Sequence, residues 1–203
     1  AVSAALRTRE GGQAQGGIIL TASHNPGGPG EDFGIKYNEG YGQPAGEEFT
    51  DALYARSLEI KGFKTVEGAG DIDLNADVGA TFSMTSTSTV TIIDPFEEYV
   101  NCLKECFDFA AIRDFAKRPG FSILFDGMHG AGGPFARRIL MEELGFPESS
   151  LMRCDPRPDF GQCHPDPNLT YAADLVKKMG LKPDGSVDPS ATNVPTLGAA
   201  NDG

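Results

Sequence analysis

Along this chain, short apolar runs closed by polar or glycine-rich segments alternate with stretches in which apolar residues recur every three or four positions. That alternation predicts an α/β fold. Residues 1–10 read as the tail of a helix with no cap signal before it, ended by Gly11-Gly12. Residues 16–20 predict a short strand inside a covered sheet, and residues 33–38 a second strand in which Lys36 points away from Ile35 and Tyr37. Residues 44–58 predict a helix with Pro44 in its first turn, Glu47 and Glu48 at its positive end, and Phe49, Ala52 and Leu53 as its apolar stripe. Residues 61–79, rich in Gly and Asp, read as a surface loop, and the β-branched residues 81–93 as one strand.

Asp94-Pro95 marks a domain boundary: Asp94 suits an N-cap, Pro95 the first helical position, and Glu97 a capping-box partner. Phe96, Tyr99, Val100, Leu103 and Phe107 then fall on one helical face and read as core. Beyond them come a strand at 121–125, a helix at 134–144 ended by Gly145, a strand at 151–154, a helix at 169–179 and a strand at 196–200. Asn168 is the expected cap of the 169–179 helix, with Leu169, Ala172, Ala173 and Val176 inward and Lys177 and Lys178 at its negative end. Residues 182–195 read as a surface insertion. The βαβαβ order predicts a parallel sheet with right-handed crossovers. The expected architecture is therefore two α/β domains, residues 1–94 and 95–203, each a mixed or parallel sheet with helices on both faces.

A formal net charge of -12 and a pI near 4.6 argue against a nucleic-acid partner, because phosphate backbones are bound by clustered Lys and Arg. Any anionic ligand needs a locally basic pocket. No apolar run is long enough to cross a bilayer and no signal-like start is present, so the expectation is no membrane partner. Four cysteines without the short paired spacings of zinc sites read as inert thiols of a reducing, cytoplasmic compartment.

Three polar clusters fall where strands end: Thr21 to Asn25, Asp126 to Gly130, and Asn201-Asp202. The carboxyl ends of strands are where open α/β sheets bind ligands, and a turn rich in glycine offers successive N–H groups to an anion. Asn25-Pro26-Gly27-Gly28-Pro29-Gly30 cannot continue a strand, so the chain must leave the sheet near Ser23. A hydrolase nucleophile would need a Gly-x-Ser-x-Gly elbow, whereas Ser23 is flanked as Thr-Ala-Ser-His-Asn.

Thr21-Ala-Ser-His-Asn-Pro26 followed by Asp32-Phe-Gly-Ile-Lys36 resembles the phosphoserine loop of the α-D-phosphohexomutases, in particular their phosphoglucomutase branch. His164-Pro-Asp-Pro-Asn-Leu-Thr-Tyr-Ala-Ala-Asp-Leu175 and Asp126-Gly-Met-His-Gly130 resemble the second domain of the same enzymes. That family has four domains, so the chain is expected to be an internal piece, covering the end of the first domain and most of the second, and inactive alone.

The resemblance implies interconversion of glucose 1-phosphate and glucose 6-phosphate through a glucose 1,6-bisphosphate intermediate, with Ser23 carrying the phosphoryl group. Lys36 would neutralise its oxygens or move a proton. Thr21, His24 and Asn25 would fix the loop or bind phosphate. It also implies Mg2+, held by a phosphoryl oxygen on Ser23 and by three aspartates of which Asp202 is the first. A hexose phosphate is the expected small-molecule partner, and the complete protein a monomer or weak dimer. Arg153 and Arg157 are available cations that sequence context leaves unassigned. The alternative class is a non-catalytic relative that uses the phosphoserine loop for regulation or partner binding.

Overall fold

The computed structural model describes residues 1–25, 29–67 and 70–202. The chain divides into two compact units: Ala1–Ile18 with Tyr37–Tyr99, and Ile19–Lys36 with Val100–Gly203.

Helix α1 (Val2–Thr8) precedes strand β1 (Gly16–Thr21), which forms a two-stranded sheet with β2 (Gly34–Glu39). Leu6 of α1 is buried and covers Gly17, where an added Cβ would lie 3.2 Å from its methyl group. Side chains alternate across a strand, so this helix shields only one face. Ile18, Leu20 and Ile35 are 70%, 64% and 69% exposed, which corrects the expectation of a covered sheet.

Helix α2 occupies Glu47–Glu59 and starts later than expected, because Pro44 forms an isolated antiparallel bridge with Asn38. No residue of α2 is buried, and its stripe residues Phe49 and Leu53 are exposed; Phe49 stacks on Tyr37 with ring centroids 5.4 Å apart. The threonine-rich stretch is a hairpin rather than one strand, with β3 (Thr81–Ser83) antiparallel to β4 (Thr89–Thr91). Its turn is closed by Met84 N–H to the Ser88 carbonyl at 2.9 Å and by Thr87 N–H to Thr85 Oγ1 at 3.2 Å. Hydroxyls that bond nearby backbone compete with an extended ladder.

Asp94 accepts from the Phe96 amide at 2.7 Å, which makes a local turn ahead of helix α3 (Glu97–Cys106) instead of the expected cap, and Pro95 lies outside the helix. Val100 is 1% exposed, but Phe107 is 55% exposed and does not join the core. A helix absent from the sequence reading, α4 (Phe109–Ala116), begins at Asp108, whose carboxylate caps it by accepting from Ala111 N–H at 2.9 Å.

The second unit is organised by β5 (Ile123–Asp126), β6 (Leu151–Met152) and β7 (Leu197–Ala200), in the spatial order β6-β5-β7 with both pairs parallel. Helix α5 (Gly133–Ala136) widens into a π-helical segment, Arg137–Glu143, and stops at Gly145 with φ of 79°. Gly133 is required by packing, since a Cβ there would run into the backbone of Cys154. Helix α6 is shorter than expected, Ala173–Lys178. Asn168 does accept from the amides of Thr170 and Tyr171, at 2.9 and 3.0 Å, but those bonds hold a turn and the helix follows it. The inward residues are consequently Ala172, Leu175 and Val176, while Leu169 and Ala173 face solvent. Leu124, Met128, Ala172 and Leu175 form the core cluster, with Met152, Met179 and Ala200 against it. Each buried leucine there contributes about 1.5–3 kcal/mol by leaving water.

Glu143 ties three helices together. Its carboxylate accepts from Lys104 Nζ at 2.7 Å and Arg138 at 3.0 Å, and its carbonyl from Arg113 Nε at 2.6 Å. The Lys104 hydrogen bond, opposed by burial, holds Glu143 below the ordinary value of 4.5. A depressed carboxylate pKa stabilises the fold above the unfolded-state value, and that contribution is lost as pH falls through the folded value. Glu143→Gln is therefore expected to cost about 1 kcal/mol at pH 7. In urea titrations the gap from wild type should narrow steadily below about pH 4.5; a gap unchanged at pH 3 would contradict this assignment.

Candidate active site

Ser23 sits two residues beyond β1, exposed, with φ of 58°. Left-handed backbone at a non-glycine residue costs about 1–3 kcal/mol and persists only where neighbouring bonds enforce it. Those bonds are present: Ser23 N–H donates to Thr21 Oγ1 at 2.8 Å, and Asn25 N–H to the Ala22 carbonyl at 3.1 Å. Gly34 lies so close to Thr21 that a Cβ would run into its carbonyl oxygen. Thr21 thus holds the turn that presents the serine hydroxyl.

The neighbouring loop residues have separate partners. His24 Nδ1 lies 2.8 Å from Asp202 Oδ1, and Asn25 Nδ2 donates to Asp32 at 2.7 Å. Lys36 is exposed on β2 and its side-chain amine has no hydrogen bond or ion pair among the described residues. Pro26, Gly27 and Gly28, the centre of the expected anion-binding turn, lie outside the described residues.

Asp126, at the carboxyl end of β5, is fully buried at 0% exposure. Its carboxylate accepts from Met128 N–H at 3.0 Å and Arg153 Nε at 2.8 Å, and its second oxygen from another guanidinium nitrogen of Arg153. This hydrogen-bonded pair raises the Arg153 pKa above its ordinary value, against the effect of burial. Arg153 is therefore committed to a structural ion pair, as is Asp126.

Ser23 and Asn25 line a cavity of about 410 Å³ together with His129, Arg157 and Phe160. Sequence reasoning missed these three as site residues. The signal available was His129 in a polar cluster immediately after a strand; Arg157 carries no local signal beyond its two flanking prolines. Thr21, His24, Lys36 and Asp202 are not among the residues that line the cavity.

Asp202 and Ser23 are the oxygen donors expected to meet magnesium. Among the described residues no group of three or more His, Cys, Asp or Glu side chains is placed to hold a metal ion. Magnesium demands near-octahedral oxygen coordination. One carboxylate, already bonded to His24, and one serine do not make such a site. No helix among the described residues is long and apolar enough to cross a membrane.

An α/β fold with polar loops at its strand ends and a serine held outward beside a cavity defines an α/β protein with a candidate ligand site. Comparison with known proteins makes this specific. Residues 97–203 match the family model for phosphoglucomutase/phosphomannomutase, alpha/beta/alpha domain II, and residues 1–62 match that for domain I. The chain belongs to the phosphoglucomutase/phosphomannomutase family. It is 48% identical over 207 residues to a protein of Bromus inermis named cytoplasmic phosphoglucomutase, and 47% identical over 207 residues to one of that name from Solanum tuberosum. Each alignment covers 100% of this chain but 35% of the relative, so the chain spans about a third of their length. Among solved structures, the open form of the exocytosis-sensitive phosphoprotein pp63/parafusin of Paramecium, a phosphoglucomutase, superposes with a TM-score of 0.81 at 37% identity. That match covers 99% of this chain and 36% of the other.

Proposed function

We propose that this chain carries the phosphoryl-transfer serine of a phosphoglucomutase, which interconverts glucose 1-phosphate and glucose 6-phosphate through glucose 1,6-bisphosphate. The observation that carries this reading is the presentation of Ser23: an exposed hydroxyl on a left-handed turn, fixed by Thr21 and opening on a cavity. The names of the plant relatives support the substrate class and a cytoplasmic location.

In the transfer step the bond between phosphorus and Ser23 Oγ breaks as a sugar hydroxyl oxygen bonds to phosphorus; the hydroxyl proton passes to a base and a proton is delivered to Ser23 Oγ as it leaves. The reverse step returns phosphate from the other position of the bisphosphate to Ser23. Transfer of this kind depends on positioning and on neutralising the charge of the phosphoryl oxygens. Thr21 positions the serine amide. His24, through Asp202, and Asn25, through Asp32, hold the loop on either side. The Lys36 side chain, unpaired among the described residues, is available to neutralise oxygens as an ammonium or to accept the proton as a free amine. Magnesium and glucose 1,6-bisphosphate belong to this reading through the family; Ser23 and Asp202 would be two of the metal's oxygen donors and do not make a metal site by themselves. A monomer or weak dimer, with domains at residues 1–94 and 95–203, completes it.

The test is to incubate the protein, expressed from its complete gene, with phosphorus-labelled glucose 1,6-bisphosphate and map the label by peptide mass spectrometry. Label on Ser23 that is chased onto added glucose 1-phosphate is expected. Label elsewhere, or none, rejects Ser23 as the carrier.

A further inference from the structure

We infer that the cavity beside Ser23 is a phosphomonoester subsite in which the Arg157 guanidinium takes the negative charge and His129 Nε2 completes the hydrogen bonding of the ligand. The nature of the ligand rests on the phosphoryl-carrier reading above; the anion site itself rests on the arrangement of these side chains.

The first observation is an uncommitted charge. Among the described residues Arg157 is the one arginine whose guanidinium makes no hydrogen bond, ion pair or ring contact. Arg9, Arg56, Arg137, Arg138 and Arg153 pair with carboxylates, Arg7 and Arg113 donate to carbonyls, and Arg118 stacks on Phe115. Arg157 is exposed where it lines the cavity, so its guanidinium is open to an anion that enters it. The adjacent Asp155 is taken by Arg137. Arg157 itself stands between Pro156 and Pro158, whose rings fix φ, and its amide donates to the His129 carbonyl at 3.0 Å. Its backbone is thus pinned at the cavity wall.

The second observation is convergence. His129 Nδ1 lies 2.9 Å from the Asp155 carbonyl oxygen. A carbonyl only accepts, so Nδ1 carries the proton and Nε2 is the nitrogen left for a ligand, accepting when the ring is neutral and donating when it is protonated. A Cβ built on Gly161 would stand 3.3 Å from His129 Nε2 and 3.4 Å from an Arg157 terminal nitrogen. Both nitrogens therefore lie beside Gly161 and close enough to each other for one phosphate group in the cavity they line to reach both. A phosphate group in the cavity can meet the planar guanidinium with one oxygen and the ring nitrogen, when protonated, with another, an arrangement suited to charge-assisted bonds.

The third observation is where the backbone is forced. Eight non-glycine residues among those described have φ in the left-handed region, and Ser23, His129 and Phe160 of that set all line this cavity. Such strain gathers where side chains must be aimed. A volume of about 410 Å³ falls in the range of small-ligand sites.

Two sources offer the same chemistry: a phosphoryl group on Ser23 itself, or the phosphate of a soluble sugar phosphate. The experiment uses chain 1–203 in two forms, one with Ser23→Ala and one with phosphoserine encoded at position 23, each with Arg157 intact or as Arg157→Gln or Arg157→Lys. The alanine form is titrated with inorganic phosphate and with glucose 1-phosphate, following the Arg157 Nε–H and His129 ring resonances. The phosphoserine form is followed by its phosphorus resonance. If soluble phosphate is the ligand, both resonances shift on titration and Arg157→Gln weakens binding by about ten- to a hundredfold, Arg157→Lys by less. If the serine phosphoryl group is the ligand, Arg157→Gln moves the phosphorus resonance and its titration midpoint while the alanine form binds nothing. Either result supports the subsite, and unchanged amide dispersion in the variants excludes unfolding as the cause. Equal affinities and an unmoved phosphorus signal in all three Arg157 forms overturn it. Because the alanine form cannot be phosphorylated, its binding is independent of whether Ser23 carries phosphate in turnover. The two readings therefore fail separately.

Discussion

Ser23→Ala is expected to lower mutase turnover of the protein expressed from its complete gene by at least about a thousandfold, with its unfolding transition unchanged. Removing a covalent carrier eliminates the intermediate itself, and nucleophile deletions in well-built sites cost several orders of magnitude. The fold should not register the change. Ser23 is exposed, its hydroxyl makes no hydrogen bond among the described residues, and the bond that shapes its turn runs from its amide to Thr21 Oγ1, which alanine retains. Coupled assays on wild type and variant, beside urea titrations of both, decide the matter. Activity within tenfold of wild type would remove Ser23 from the mechanism. Thr21→Val, which deletes the acceptor and keeps the shape, makes a useful companion because it loosens the turn and leaves the hydroxyl in place.

The largest effect on stability is expected from Asp126→Ala, a loss of about 3–5 kcal/mol. Asp126 is 0% exposed and joins Arg153 through two bonds while accepting the Met128 amide. Deleting the carboxylate leaves a guanidinium that is 13% exposed without its counter-charge, and a buried amide without its acceptor. Domains of this size are stable by only about 5–15 kcal/mol, so the loss is a large share of the whole. Arg153→Met in the same background should recover part of it, since an apolar pair of similar volume often replaces a buried ion pair at little cost. Urea unfolding of the four forms measures this cycle. A single-mutant loss under about 1 kcal/mol would mean that Arg153 swings to water when released.

The parallel sheet was legible because each of its strands is an apolar run stopped by polar or glycine residues: β5 by Asp126-Gly127, β7 by Asn201-Asp202. Element starts were less legible. Asn168 carries the side-chain signature of a helix cap, yet its bonds close a turn five residues ahead of the start of α6, so the inward face is Ala172, Leu175 and Val176 rather than the expected Leu169, Ala172, Ala173 and Val176. Thr85 to Thr89 has strand-like composition, but local hydroxyl bonds fold it into a hairpin turn.

In the site, Ser23 was legible because a long contiguous motif surrounds it. His129 and Arg157 were not, because what brings them to Ser23 is three loops meeting in space. Arg153 and Arg157, four positions apart in one acidic segment, look alike in sequence. Tertiary structure separates them: one is bonded to a buried carboxylate and the other faces the cavity.

The left-handed backbone at Ser23, His129 and Phe160 sets this chain at odds with any selection for thermal stability alone. Glycine adopts that conformation without a Cβ penalty, so replacement at any of the three relieves strain in the folded state. Directed evolution scored only on melting temperature would drift toward glycine at these positions and return a sturdier protein with a bare cavity. Screening on anion capture together with melting would hold the three side chains in place. The gap between those two outcomes measures how much stability the chain forgoes to keep them.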